Sequence, residues 1–214
     1  TPITVEDIEK LFNHKVAQLV EGLTKISKVQ KEMNVSMQAE NFRKMLFTLH
    51  DDVRVILIKI ADRLHNMQTL DNMEDYKQIK IASETLYIYA PLAHRLGLYK
   101  IKNKLEDLGL KYTEPTTYNE IVSRIKETKE EQDLYIKDIS EVLQKSLDQE
   151  NIDYIIKGRP KSIYSINRKM LAQNVTFDEV YDKFALRIVY KSNPHDEKFL
   201  AWKIYSIVTD HYRP

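Results

Sequence analysis

Cysteine is absent from the 214 residues, which excludes disulfides and thiolate metal sites and fits a reducing cytoplasm. Glycine is scarce, with four residues, at positions 22, 97, 109 and 158; a β-sandwich needs many tight turns, so the scarcity favours helices. No apolar run approaches the roughly 20 residues that span a bilayer, and no basic stretch followed by an apolar one opens the chain. A cytoplasmic protein with no membrane partner is expected. Excess charge is missing too. Thirty-three Lys and Arg stand against 32 Asp and Glu, a net +1, so no global field points to a polyanion and nucleic-acid binding gains no support. What is present is 43% hydrophobic content, enough for the core of one domain or of two small ones.

Apolar residues recur at helical spacing from Thr4 to about Ile26, through Ile8, Leu11, Phe12, Val16, Leu19, Val20 and Leu23, with Gly22 and Thr24 expected to end that helix. Thr4-x-x-Asp7 reads as a capping box, and Thr1-Pro2-Ile3 running straight into it reads as a boundary within a longer protein. Residues 36–50 repeat the pattern through Phe42, Met45, Leu46 and Leu49. The block from Val55 to Ile60 has a strand's composition, but its continuation through Leu64 and Met67 predicts a buried helix. Ile79, Ala82, Leu86, Tyr89, Ala93 and Leu96 extend the helical pattern, Pro91 forces a kink or restart, Gly97 caps, and another helix runs to Gly109. Thr117-x-x-Glu120 predicts the start of one long charged helix over 118–147. The texture changes near 150: Ile152, Tyr154 and Ile156 alternate as in a half-buried strand. Gly158-Arg159-Pro160-Lys161 then reads as a turn, 163–171 as a helix, Leu186, Ile188 and Tyr190 as a second strand, and Leu200 to Val208 as a final helix. That order opens an α/β sheet domain.

Two constellations carry chemistry. Asp62, Asn66 and Thr69 lie at i, i+4 and i+7, one polar stripe on an apolar helix. Asp62 either pairs with Lys59 or serves as a hard oxygen ligand for Mn²⁺ or Mg²⁺, and a single carboxylate needs partners to hold a metal. His50-Asp51 and His195-Asp196 have the composition of metal ligands, but each sits where acidic residues normally cap the next helix. In the second constellation Arg159 and Lys161 precede a helix bearing Ser165 and Lys169. This is either a solvated basic turn or a polyphosphate cradle. Asp182 leading into the second strand and Arg187 on it favour the cradle, because a carboxylate beside bound phosphates anchors Mg²⁺ in phosphoryl or pyrophosphoryl transfer.

These motifs resemble those of the Rel/SpoT-type alarmone enzymes of the stringent response. IKIADRLHNMQTL at 58–70, EGLTKI at 21–26, YAPLAHRLGL at 89–98 and LEDLGLKY at 105–112 are similar to segments of that family's hydrolase domain. GRPKSIYSINRKM at 158–170 and YDKFALRIVY at 181–190 are similar to the start of its synthetase domain. The resemblance implies a mainly α chain. Residues 1–112 would be the C-terminal part of an all-helical HD-type hydrolase, 113–150 a connecting helix, and 151–214 the N-terminal part of an α/β nucleotidyltransferase-like synthetase. It implies Mn²⁺-dependent removal of the 3′-pyrophosphate from (p)ppGpp, with Asp62 as a metal ligand and Asn66 and Thr69 lining the pocket. It also implies pyrophosphate transfer from ATP to the 3′-hydroxyl of GDP or GTP. There Arg159, Lys161, Ser165, Lys169 and Arg187 would contact ATP, and Asp182 would be the catalytic Mg²⁺ carboxylate.

The chain departs from the family's pattern where Ser162 and Asn167 replace a His and an aromatic, and Gln68 an Arg. The family's metal-binding His-Asp doublet would lie upstream of Thr4, and the guanine-nucleotide pocket beyond Pro214. The expectation is therefore a piece nearly inactive alone, from a bifunctional parent whose ribosome association would run through regions outside it. The alternative is a non-catalytic interaction module with vestigial nucleotide sites.

Overall fold

The computed structural model describes residues 3–31 and 52–212, and the chain divides into two compact units, Thr1–Pro115 and Thr116–Pro214. The helix expected over 36–50 and the His50-Asp51 doublet lie outside the described residues.

In the first unit, α1 (Val5–Leu11) starts at a reciprocal capping box between Thr4 and Asp7. The helix expected to run to Ile26 is two helices. Phe12 leaves helical geometry (φ −123, ψ −87), and Asn13 accepts the Val16 N–H at 3.0 Å to start α2 (His14–Lys31). Gly22 does not end α2: a Cβ there would come within 3.0 Å of Val55 Cγ2, so the glycine serves close helix approach. Asp52 caps α3 (Val53–Gln68) through the Arg54 N–H. Val55, Ile56, Ile60 and Met67 form the buried face of α3 and pack with Leu70, Tyr89, Leu92 and Leu105. Each fully buried side chain of this size contributes roughly 1.5–3 kcal/mol.

From Asp75 to Arg95 the chain is one continuous helical run, α4 (Asp75–Glu84), a π turn (Thr85–Tyr89) and α5 (Ala90–Arg95). The π turn answers Pro91, which has no N–H and whose ring would strike a carbonyl four residues back. Widening the helix, with the Ala90 N–H donating to the Thr85 carbonyl, absorbs the mismatch. Gly97 at φ +73 ends α5, with its N–H on His94 and that of Leu98 on Ala93, at 3.0 and 2.8 Å, a Schellman closure. Gly109 lies inside α6 (Tyr99–Thr113) rather than at its end, because Leu86 of the π turn occupies the space a side chain would need.

The second unit begins with α7 (Pro115–Glu127) and α8 (Lys129–Gln149), two helices where one was expected. At the break, the Thr128 hydroxyl donates to the Arg124 carbonyl at 2.9 Å and accepts from Gln132 Nε2 at 2.8 Å. Such back-bonding by a β-branched residue bends a helix. The first helix starts at Pro115, which suits the position after the cap, so Thr117 and Glu120 lie within it and form no capping box.

Strands β1 (Tyr154–Pro160) and β2 (Phe184–Tyr190) pair antiparallel, with α9 (Ile163–Gln173) between them in sequence and α10 (Glu197–His211) after them. One sheet face, with Tyr154, Ile156, Ile188 and Tyr190, packs on Leu143 and Leu147 of α8 and Ile204 of α10. A separate cluster joins Ile121 of α7, Ile166 of α9 and Phe177. Gly158-Arg159-Pro160, expected as turn, is strand through Pro160. Gly158 has no left-handed φ, and a Cβ there would meet Ile136 of α8 at an ordinary 3.4 Å, so neither backbone nor packing demands the glycine.

Candidate functional site

In the second unit Ser162 caps α9, accepting the Ser165 N–H at 3.3 Å, while the two hydroxyls share a 2.7 Å hydrogen bond. Ser165 and Lys169 sit one helical turn apart on α9, and Lys161 immediately precedes the cap, so the three share one side of the helix start. Asp182 reaches this side from the segment before β2, and both Lys161 Nζ and Lys169 Nζ donate to its Oδ2. Those two ammonium groups hold the Asp182 carboxyl down at about 2. In turn Asp182 lifts the Lys169 ammonium, whereas burial pulls that of Lys161 down.

Two cations against one anion leave the cluster net positive, beside backbone N–H groups at a helix start. The Asp182 side chain is 52% exposed, open to a ligand. Its one carboxylate fits Mg²⁺ in the manner usual for that ion, which completes its oxygen shell with water and substrate phosphates.

Arg159 and Arg187 are not part of this ion cluster. Both lie on the exposed sheet face, Arg159 opposite Ala185 and Arg187 opposite Lys157. Lys157 was not singled out in the sequence. The period of two, which puts residues 155, 157 and 159 on one face, would have found it. Like charges directly opposite one another destabilise a sheet, and an anion on this face would relieve the pair.

In the first unit, Asp62, Asn66 and Thr69 share a stripe of α3 that is exposed, not buried as its apolar context suggested; the core needs only the opposite face. Thr69 ends the helix, its hydroxyl donating to the His65 carbonyl at 3.2 Å. Among the described residues no three His, Cys, Asp or Glu side chains gather as metal ligands, so the residues described around Asp62 do not by themselves fit a metal. Beside Asp62, Arg63 is held by Glu84 at 3.1 Å, by the Ile81 carbonyl at 3.4 Å and by the Tyr89 ring, 4.3 Å from the guanidinium. Arg63 thereby pins α3 to α4 and the π turn.

The sequence profile of the HD domain family matches residues 1–99. Among curated proteins, a probable guanosine-3′,5′-bis(diphosphate) 3′-pyrophosphohydrolase of Synechocystis is 43% identical over 100% of this chain and 28% of its own length. A GTP pyrophosphokinase of Myxococcus xanthus is 43% identical over 91% of this chain and 26% of its own length. The bifunctional (p)ppGpp synthase/hydrolase SpoT of Escherichia coli K12 is 42% identical over 88% and 27%. The chain thus spans little more than a quarter of the length of these relatives.

Proposed function

We propose that this chain, which belongs to the Rel/SpoT family of (p)ppGpp synthetases and hydrolases, carries the ATP-side cradle of a synthetase and one helix of the opposing hydrolase pocket. The reaction assigned to the parent protein is transfer of pyrophosphate from ATP to the 3′-hydroxyl of GDP or GTP, opposed by removal of that group from (p)ppGpp. The observation that carries the reading is the convergence of Lys161 and Lys169 on Asp182.

Lys161 and Lys169 hold the polyphosphate as point charges. Arg159 and Arg187 present guanidinium groups on the neighbouring sheet face for the rest of the nucleotide, and Ser165 keeps the helix start in shape. Asp182 is the carboxylate that would hold Mg²⁺, and the ion would supply charge neutralisation for the phosphates. Asp62, Asn66 and Thr69 form one wall of the hydrolase pocket. The Mn²⁺ that the resemblance implies would need ligands beyond Asp62. The parent is placed in the cytoplasm, and any ribosome contact to regions outside this chain.

Calorimetric titration of the chain with MgATP tests the reading. Removing one phosphate-contacting cation costs about 1.5–3 kcal/mol, so Lys161→Ala should weaken binding at least tenfold. Wild-type affinity in that variant would support a non-catalytic module instead. Pyrophosphate transfer and release by the chain alone are expected to be near background, and robust turnover would overturn that part.

A further inference from the structure

Asp182 sits in the connection between α9 and β2, which is fastened at several points. Asn174, at φ 52, turns the chain out of α9, and the Val175 N–H closes on Met170 at 3.0 Å. Glu179 accepts both the N–H and the hydroxyl of Thr176 at 2.8 Å. Phe177 and Val180 are 4% and 1% exposed, Phe177 buried against Ile121 and Ile166. Arg124 of α7 grips the neighbouring Asp178 with one nitrogen 2.6 Å from both carboxylate oxygens, and its other arm holds Glu127 at 2.9 Å. Its guanidinium lies 5.9 Å from the Phe177 ring centre. On the far side of Asp182, Lys183 donates to the Phe177 carbonyl at 3.0 Å, and its own carbonyl accepts the Lys161 N–H at 2.9 Å.

Asp182 is thus the short exposed span between a loop buckled to α7 and a strand start tied to Lys161. Nothing in phosphate binding requires the Arg124–Asp178 pair, which touches none of the candidate ligand-binding groups. Its position explains it otherwise, because it fixes the loop on which the carboxylate depends. We propose that Arg124 is a positioning residue that, through Asp178 and the loop to Lys183, holds the Asp182 carboxylate where a phosphate-bound Mg²⁺ can reach it. The inference rests on the phosphate-site reading above and deepens it.

The test combines amide hydrogen exchange with nucleotide titration on the full chain, for Arg124→Ala, Asp178→Ala and the double variant. The pair is exposed, so its loss should be felt only modestly: each single variant should speed exchange of the Val180 and Lys161 amides about fivefold, leaving Ile156 and Ile188 unchanged. MgATP affinity should fall by about the same factor while affinity for ATP without metal stays the same. The double variant should be no worse than Arg124→Ala, because the Asp178 change then removes a contact already lost. Unchanged exchange at Val180 and Lys161, or equal losses of affinity with and without Mg²⁺, would overturn the proposal. Wild-type behaviour of Arg124→Ala beside a damaged Asp182→Asn overturns the tether alone. Undiminished MgATP binding by Asp182→Asn overturns the site reading, and with it the metal-positioning role.

Discussion

Arg63 lies beside a candidate functional carboxylate, yet its own side chain is only 11% exposed and faces Glu84 and the Tyr89 ring. Deleting it strands Glu84 and removes packing from the ring. Arg63→Ala should therefore cost about 2 kcal/mol in denaturant unfolding, and Arg63→Lys should recover little, since an ammonium reproduces neither the fork nor the stacking. The partner is 21 residues away, so helical spacing around Arg63 gave no hint of it.

Asp182 makes a different prediction. Its carboxyl is depressed from an ordinary 3.8 to about 2, so the stabilisation it gives is complete above about pH 4 and disappears as pH falls through about 2. The difference in urea unfolding free energy between the protein and Asp182→Asn should be constant near neutrality, below about 1 kcal/mol because the site is half exposed, and should close only below about pH 2. A gap that widens on acidification would contradict the ion triad.

At the level of elements, Gly109→Ala puts a methyl 2.5 Å from Leu86 Cγ. The better helix propensity of alanine returns less than about 1 kcal/mol, whereas overpacking costs about 1–3 kcal/mol. A net loss of melting temperature is expected, relieved by Leu86→Ala in the same chain. Helix positions were legible because apolar residues repeat at the helical period whatever the tertiary fold. The breaks at Asn13 and Thr128 were not, since each depends on one side chain bonding to nearby backbone or to a neighbour's side chain, an alternative that periodicity does not report. Arg159 was misplaced for a related reason. Gly and Pro flanking it signal a turn, but Gly158 lies within β1 without a left-handed φ and Pro160 is that strand's last residue.

Over the whole chain the net charge of +1 hides local asymmetry, with cations gathered around Asp182 and on the sheet face of the second unit. Nucleotide affinity should fall as salt rises from about 0.05 to 0.5 M, because the Debye length shortens from about 14 to about 4 Å and the sheet-face cations no longer reach the ligand. An affinity indifferent to salt would argue against their involvement. The sequence grouped Lys161, Lys169 and Asp182 in one candidate cradle, because Asp182 leads into the strand that follows α9. It did not set apart Arg159 and Arg187, which lie on the sheet face outside the ion cluster, nor show the anchoring of the Asp182 segment through buried Phe177, a contact across long sequence distance.

The two hydrophobic clusters of the second unit have no buried residue in common. The ion triad is moored to the lesser one, where Ile121, Ile166 and Phe177 are the buried members. Moderate heat or denaturant can then dissolve that mooring while the strands stay paired between α8 and α10. If the proposed cradle binds nucleotide, its affinity is expected to be lost on heating before the circular-dichroism signal of the sheet, and coincident loss of the two would contradict that mooring.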